Sequence, residues 1–190
     1  GLMSLSPCVH AASLKYDVIK KPEKDSKSMI VDITLNTDGD NINVVEGNLN
    51  FSGEVTKNIN IAVENGNSVL SIWPKSPEYS STSKSIDFTG GIPGGFKGKG
   101  LLFRLIIDPS TTGDLGINHI NGRIYLNDGL GTMESMSPKT LKIGIDSEGN
   151  SVIQGESSGI TMLWYVIIIL LIICLLFVAF KYVHKKDIRI

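Results

Sequence analysis

The stretch best suited by composition to do chemistry is DFTGGIPGGFKGKG, Asp87 to Gly100, with six glycines and one proline in fourteen positions. Glycine-rich backbone can close around a phosphate, but a Walker-type loop needs Gly, four residues, then Gly-Lys-Ser/Thr opening a helix. Here Gly98-Lys99 is followed by Gly100, Pro93 stands five residues earlier, and the chain runs on into the strand-like LLFRLIID. A dinucleotide fingerprint fails for the same reasons. The stretch reads instead as a place where a sheet turns. Strand SIDF ends, the chain turns through Gly90-Gly91 and Gly94-Gly95, and it re-enters a strand at Leu101. Glycine permits positive φ there, and Pro93 fixes one turn. Phe96, at the centre of this loop, either packs back or meets a partner.

Other chemistry-bearing types are sparse. Asn36, Asp38 and Asp40 have carboxylate spacing close to a calcium loop, but the glycine of loop position six and the flanking helices are missing. Asp128-Gly129, Asp146 and Glu148 are turn residues, so no metal site is expected. His119 sits within a strand pattern and reads as a satisfied or surface histidine, so no Ser/His/Asp arrangement is expected. No cofactor and no catalytic residues are assigned, and the chain is not read as an enzyme. Aromatic side chains remain, because their faces stack on sugars and anchor protein interfaces. Trp73 and Tyr79 bracket the Pro-rich WPKSPEY, and with Phe96 and Tyr125 they form the candidate ligand-binding set.

The elements that must position these residues are short and extended. SMIVDITLN (28–36) alternates Met29, Val31, Ile33 and Leu35 against Ile30, Asp32 and Thr34, the period of a half-buried strand. Further strands are expected at 42–51, 58–64, 68–73, 83–88, 101–108, 117–127 and 140–145. Turn-forming clusters such as TDGDN, Glu64-Asn65-Gly66-Asn67, Asp108-Pro109 and Asn127-Asp128-Gly129 separate them. Strands of this length, with turns every ten residues or so, indicate an all-β sandwich.

Apolar content then shifts abruptly. Met162 to Phe180 is nineteen residues without a charge, and a helix crossing a bilayer needs about twenty. Trp164 and Tyr165 lie near its start, and Lys181, Lys185, Lys186 and Arg189 follow it, as expected of a membrane anchor with a cytoplasmic C-terminus. Residues 1–11 read as the remnant of a secretory signal peptide, with Val9-His10-Ala11 resembling its cleavage site. Residues 12–148 then form the ectodomain, 149–159 a flexible stalk, 160–180 a transmembrane helix and 181–190 a basic cytoplasmic tail. The expected location is the cell membrane, single-pass, with the ectodomain outside.

Charge and cysteine usage exclude further classes. The chain of 190 residues has a formal charge of -1. Residues 12–160 carry fourteen basic and eighteen acidic side chains, whereas the tail carries four basic and one acidic. A mildly acidic domain is no nucleic-acid binder. Cys8 falls in the signal remnant and Cys174 in the span, which leaves the ectodomain without disulfides, thiol nucleophiles or cysteine zinc sites.

INVVEGNLNF, then SVLSIWPKSPEYSSTSKSIDFTGGIPGGF, GKGLLFRLIID and GRIYLNDGLGT, together resemble the cohesin domain and its relatives among carbohydrate-binding sandwiches. The resemblance spans roughly residues 28–145 and rests on structural motifs. It implies a jelly-roll sandwich of about nine strands and binding without catalysis. In cohesins one sheet face binds a dockerin module, so the implied partner is a dockerin-like protein module or an extracellular polysaccharide. The resemblance assigns no individual contact residue. The expected function is thus a surface-anchored binding module. The alternative is an accessory subunit of a membrane complex that meets its partners through the membrane helix.

Overall fold

The computed structural model describes residues 12–21, 28–147 and 151–157. The expected signal remnant at 1–11, the expected membrane helix at 160–180 with Trp164 and Tyr165, and the expected tail with Lys181, Lys185 and Lys186 lie outside the described residues. Among the described residues no helix is long and apolar enough to cross a membrane.

Period-two alternation decides the interior. In MIVDITLN, Met29, Val31, Ile33 and Leu35 are fully buried, while Ile30, Asp32 and Thr34 lie on the opposite face and stay partly exposed. The same logic builds eleven described strands, where about nine were expected. They are β1 Ser13–Lys20, β2 Met29–Asn36, β3 Ile42–Ser52, β4 Ile59–Glu64, β5 Ile72–Ser80, β6 Ser85–Phe96, β7 Lys99–Pro109, β8 Gly113–Leu126, β9 Met133–Ser135, β10 Lys139–Ile145 and β11 Ser151–Ser157. A 3-10 turn, Glu54–Lys57, follows β3.

The strands form two antiparallel sheets. One has the order β1-β2-β7-β4 and the other β11-β10-β8-β3-β6-β5, with β9 added on β8. The inward residues of both make one apolar core. Phe88 of β6 and Phe103 of β7 meet in it edge to face, with ring centroids 5.1 Å apart. β1 also reaches the second sheet, since the Ser137 N–H donates to the Ala12 carbonyl at 3.0 Å and the Tyr16 hydroxyl to the Lys139 carbonyl at 3.3 Å.

One strand is added to those expected, and three local expectations are corrected. The lysine-rich beginning hides β1, whose Leu14 and Tyr16 are buried between outward Lys15 and Asp17. The strand expected at 68–73 lies instead at Ile72–Ser80, across the Pro-rich segment read as a loop. Proline forfeits a ladder hydrogen bond, so it survives at a sheet edge. β5 is such an edge, and its register slips on both sides of Lys75. The glycine-rich stretch is mostly strand, because β6 runs through to Phe96 and the turn is at Lys97-Gly98. Gly90 is small because a Cβ there would stand 2.5 Å from Leu70 Cδ1. Finally, Ser151–Ser157, placed in a flexible stalk at 149–159, pairs with β10 as β11. A polar, proline-free segment rich in small residues reads as linker, but the free edge of β10 supplies a ladder for it.

One glycine carries a large local constraint. Gly53 enters the 3-10 turn at φ 100, and a Cβ on it would press into the Asp114 peptide, with the carbonyl carbon 2.8 Å away. Left-handed backbone costs an ordinary residue about 1–2 kcal/mol, and overpacking adds about 1–3. Gly53→Ala should therefore destabilise the domain by about 3 kcal/mol, read from the urea unfolding midpoint. A change under about 0.5 kcal/mol would show that the turn relaxes freely.

Candidate binding face

The outward residues of β5, β6, β3, β8 and β9 are aligned by register into bands. Ile72 pairs with Gly91, Gly91 with Val44, Val44 with Tyr125, and Tyr125 with Met133. These links place four large apolar side chains and one glycine in a row that crosses five strands. Ile72 is 52% exposed and Met133 51% exposed, whereas Val44 and Tyr125 between them are half-buried. Gly91 leaves a dip in the row, where a Cβ would lie 3.7 Å from that of Ile72.

Next along the strands lies a charged band. Lys75 pairs with Thr89, Thr89 with Glu46, Glu46 with Arg123, and Arg123 with Ser135. Beyond it, Asp87 accepts from the Asn48 amide at 2.5 Å and from the Lys75 ammonium at 3.0 Å. The Asn48 hydrogen bond, and then Lys75, hold the Asp87 carboxyl below its ordinary range. A shallow hollow of about 290 Å³ opens between Glu46, Lys75, Asp87, Asn121 and Arg123. A third band is amide and hydroxyl. Asn50 donates to Asn48 at 2.5 Å, and Asn118 to Ser52 Oγ at 3.1 Å.

The outer face of the other sheet is built differently. Asp17, Asp32, Arg104 and Glu64 stand in one cross-strand row. The Arg104 guanidinium grips Asp32 through two bonds of 2.7 and 3.0 Å. Ile30 and Ile106 pair beside this row, but both are partly covered.

Of the four aromatic candidates, the structure brings Tyr125 to the apolar row and turns the others toward the interior. Trp73, Tyr79 and Phe96 are half-buried and pack on the core. Tyr79 sets its ring edge to face against Phe51, with centroids 5.3 Å apart and planes at 83°, and burial raises its phenol pKa. Phe96 packs beside Gly100, where a Cβ would come within 2.8 Å of its ring. The two ring pairs among the described residues both meet edge-on, so none forms a flat stacking platform. Val44, Ile72 and Met133 escaped the sequence reading. Their signal was an apolar residue at the polar phase of a strand, visible only once register aligns separate strands.

Asn36 and Asp128 make local turn hydrogen bonds. Asn36 Oδ1 accepts from the Asp38 N–H at 3.3 Å, and Asp128 accepts from the Leu130 N–H at 2.8 Å and from the Thr132 hydroxyl. Among the described residues, no group of three His, Cys, Asp or Glu side chains is placed to hold a metal ion. His119 is neither satisfied nor at the surface. It is 1% exposed, and neither ring nitrogen makes a hydrogen bond within the described residues.

A scan against protein-family models finds no match, and a search of curated proteins finds none. Among solved structures, the fold is similar to the cohesin module of a family 33 glycoside hydrolase from Clostridium perfringens. The TM-score is 0.55 at 8% identity, over 72% of this chain and 97% of that one. A non-cellulosomal cohesin from the archaeon Archaeoglobus fulgidus gives a TM-score of 0.46 at 14% identity, over 66% of this chain and 83% of that one. The first likeness shows the fold, which is a cohesin-like β-sandwich.

Proposed function

We propose that the chain is a non-catalytic protein-binding module that takes its partner on the outer face of the β8-β3-β6-β5 sheet and is tethered to a cell surface by residues 160–180. The observation that carries this reading is the row Ile72–Gly91–Val44–Tyr125–Met133 beside a band of fixed charge. Apolar side chains on the solvent face of a sheet, rimmed by polar groups, mark an interaction surface. Adjacent strands are about 4.8 Å apart, so the row is about 19 Å long. At 1.5 Å per residue, a helix of about thirteen residues laid across the strands would cover it. The partner is accordingly a helical, dockerin-like module whose apolar stripe meets the row and whose charges answer Lys75, Glu46 and Arg123.

A polysaccharide is the second ligand considered. Trp73, Tyr79 and Phe96 are half-buried and pack against the core, which favours the protein partner. The test is capture by the full chain in detergent, offered a panel of dockerin modules and a glycan array, beside Tyr125→Ala. Hot-spot tyrosines cost about 2–4 kcal/mol on truncation, or thirty-fold and more in affinity. Saturable capture of a dockerin, weakened that far by the substitution, supports the reading. Glycan binding that Tyr125→Ala leaves intact and Trp73→Ala abolishes would replace it.

A further inference from the structure

β8 is paired along both sides except in its middle. Toward β3, Gly122 faces Gly47 and His119 faces Leu49, so Ile120 and Asn121 form a bulge outside the register. Toward the other side, pairing with β10 ends at His119 and pairing with β9 begins at Arg123. A bond from the Met136 N–H to the Gly122 carbonyl at 2.9 Å spans the gap. Ile120 is 56% exposed, and Asn121 and Arg123 line the charged hollow.

Beneath this bulge lies His119. Its ring fills the space that a Cβ on Gly122 would need, with Cε1 2.6 Å from that position and Met136 alongside. Leu49 is its neighbour on β3. From β10, Lys139 stands directly across, and from β1 the Tyr16 hydroxyl donates to the Lys139 carbonyl. Burial pushes the imidazole pKa down, while the Ser137 backbone pulls weakly the other way without reaching hydrogen-bond geometry. Among the described residues no carboxylate contributes to holding a proton on the ring.

We infer that Ile120–Gly122 is a proton-operated flap on the binding face: when His119 takes a proton the ring leaves the interior, the bulge opens, and the charged band loses its floor. Protonation is favoured outside, where the group has its ordinary value near 6.5, and disfavoured inside. The opened state therefore binds more protons, and closure is complete above about pH 6.5 and lost as pH falls below it, by about tenfold per pH unit. The bulge is where opening begins because the ladder of β8 is interrupted there toward β3 and also between β10 and β9. That opening would release a bound partner rests on the binding face proposed above, whereas the flap itself does not.

The test needs no partner. Amide hydrogen exchange of the full chain in detergent micelles, corrected for intrinsic rates, is compared at pH 7.5 and 5.5 for the natural chain and His119→Leu. Protection at Ile120–Arg123 should fall about tenfold relative to β2 in the natural chain and stay level in the variant. An NMR titration of the His119 ring, assigned against His10→Ala and His184→Ala, should give a pKa below 6.5, and it covers the case in which the variant does not fold. Protection independent of pH, loss spread evenly over the domain, or a ring titrating at or above 6.5 would each overturn the flap. A confirmed flap in a chain that captures no dockerin would remove the face assignment alone.

Discussion

Val44→Asp should weaken partner capture by about a hundredfold or more while leaving the domain folded. Val44 is the centre of the apolar row, with Gly91 on one side and Tyr125 on the other. A partner seated on the row removes this position from water. An unpaired carboxylate there costs several kcal/mol, and about 2.8 kcal/mol is already a hundredfold. In the free protein the same carboxylate points to solvent from a half-exposed strand position, where substitution costs about 1 kcal/mol. The control is Ile106→Asp on the outer face of the other sheet, where Ile106 pairs with Ile30. Titration calorimetry against the captured module, beside urea unfolding of each variant, separates the two faces. Loss of binding in Ile106→Asp with Val44→Asp unaffected would move the site to the β1-β2-β7-β4 sheet.

The same row shows what a sequence conceals. The alternation in MIVDITLN and LLFRLIID is local, so β2 and β7 were legible, and so was the sandwich they imply. A binding face made of Ile72, Val44, Tyr125 and Met133 is not local. Each residue is one apolar side chain in its own strand, and only the ladder makes them neighbours. β5 was missed because Pro74 and Pro77 speak against a strand in isolation, yet an edge strand with slipped register tolerates them. In β6, Gly90 and Gly91 were read as turn residues because glycine usually signals a turn. Their reason here is space, for Leu70 on one face and for the row on the other. His119 looked ordinary because burial without a hydrogen-bond partner leaves no trace in composition.

Phe88 and Gly47 give the largest expected effect on stability, and one whose sign depends on their contact. Phe88 is 1% exposed, stacks edge to face on Phe103, and lies directly across the ladder from Gly47. Its ring covers the glycine so closely that a Cβ there would overlap Cζ and stand 2.7 Å from Cε1. Phe88→Ala removes the ring from a packed core and should cost about 3–5 kcal/mol. Domains of this kind have about 5–15 kcal/mol in total, so the variant should sit near its unfolding midpoint in low urea. Gly47→Ala alone should cost about 1–3 kcal/mol, because the ring is pinned by Phe103 and has to shift. Together the two changes should cost less than their sum by about 1 kcal/mol or more, since the new methyl enters the space that the ring has left. Urea unfolding of the four forms closes this cycle. Strict additivity would mean that Phe88 and Gly47 do not touch, and with it the β3–β6 register that also sets Val44 beside Gly91 would fall.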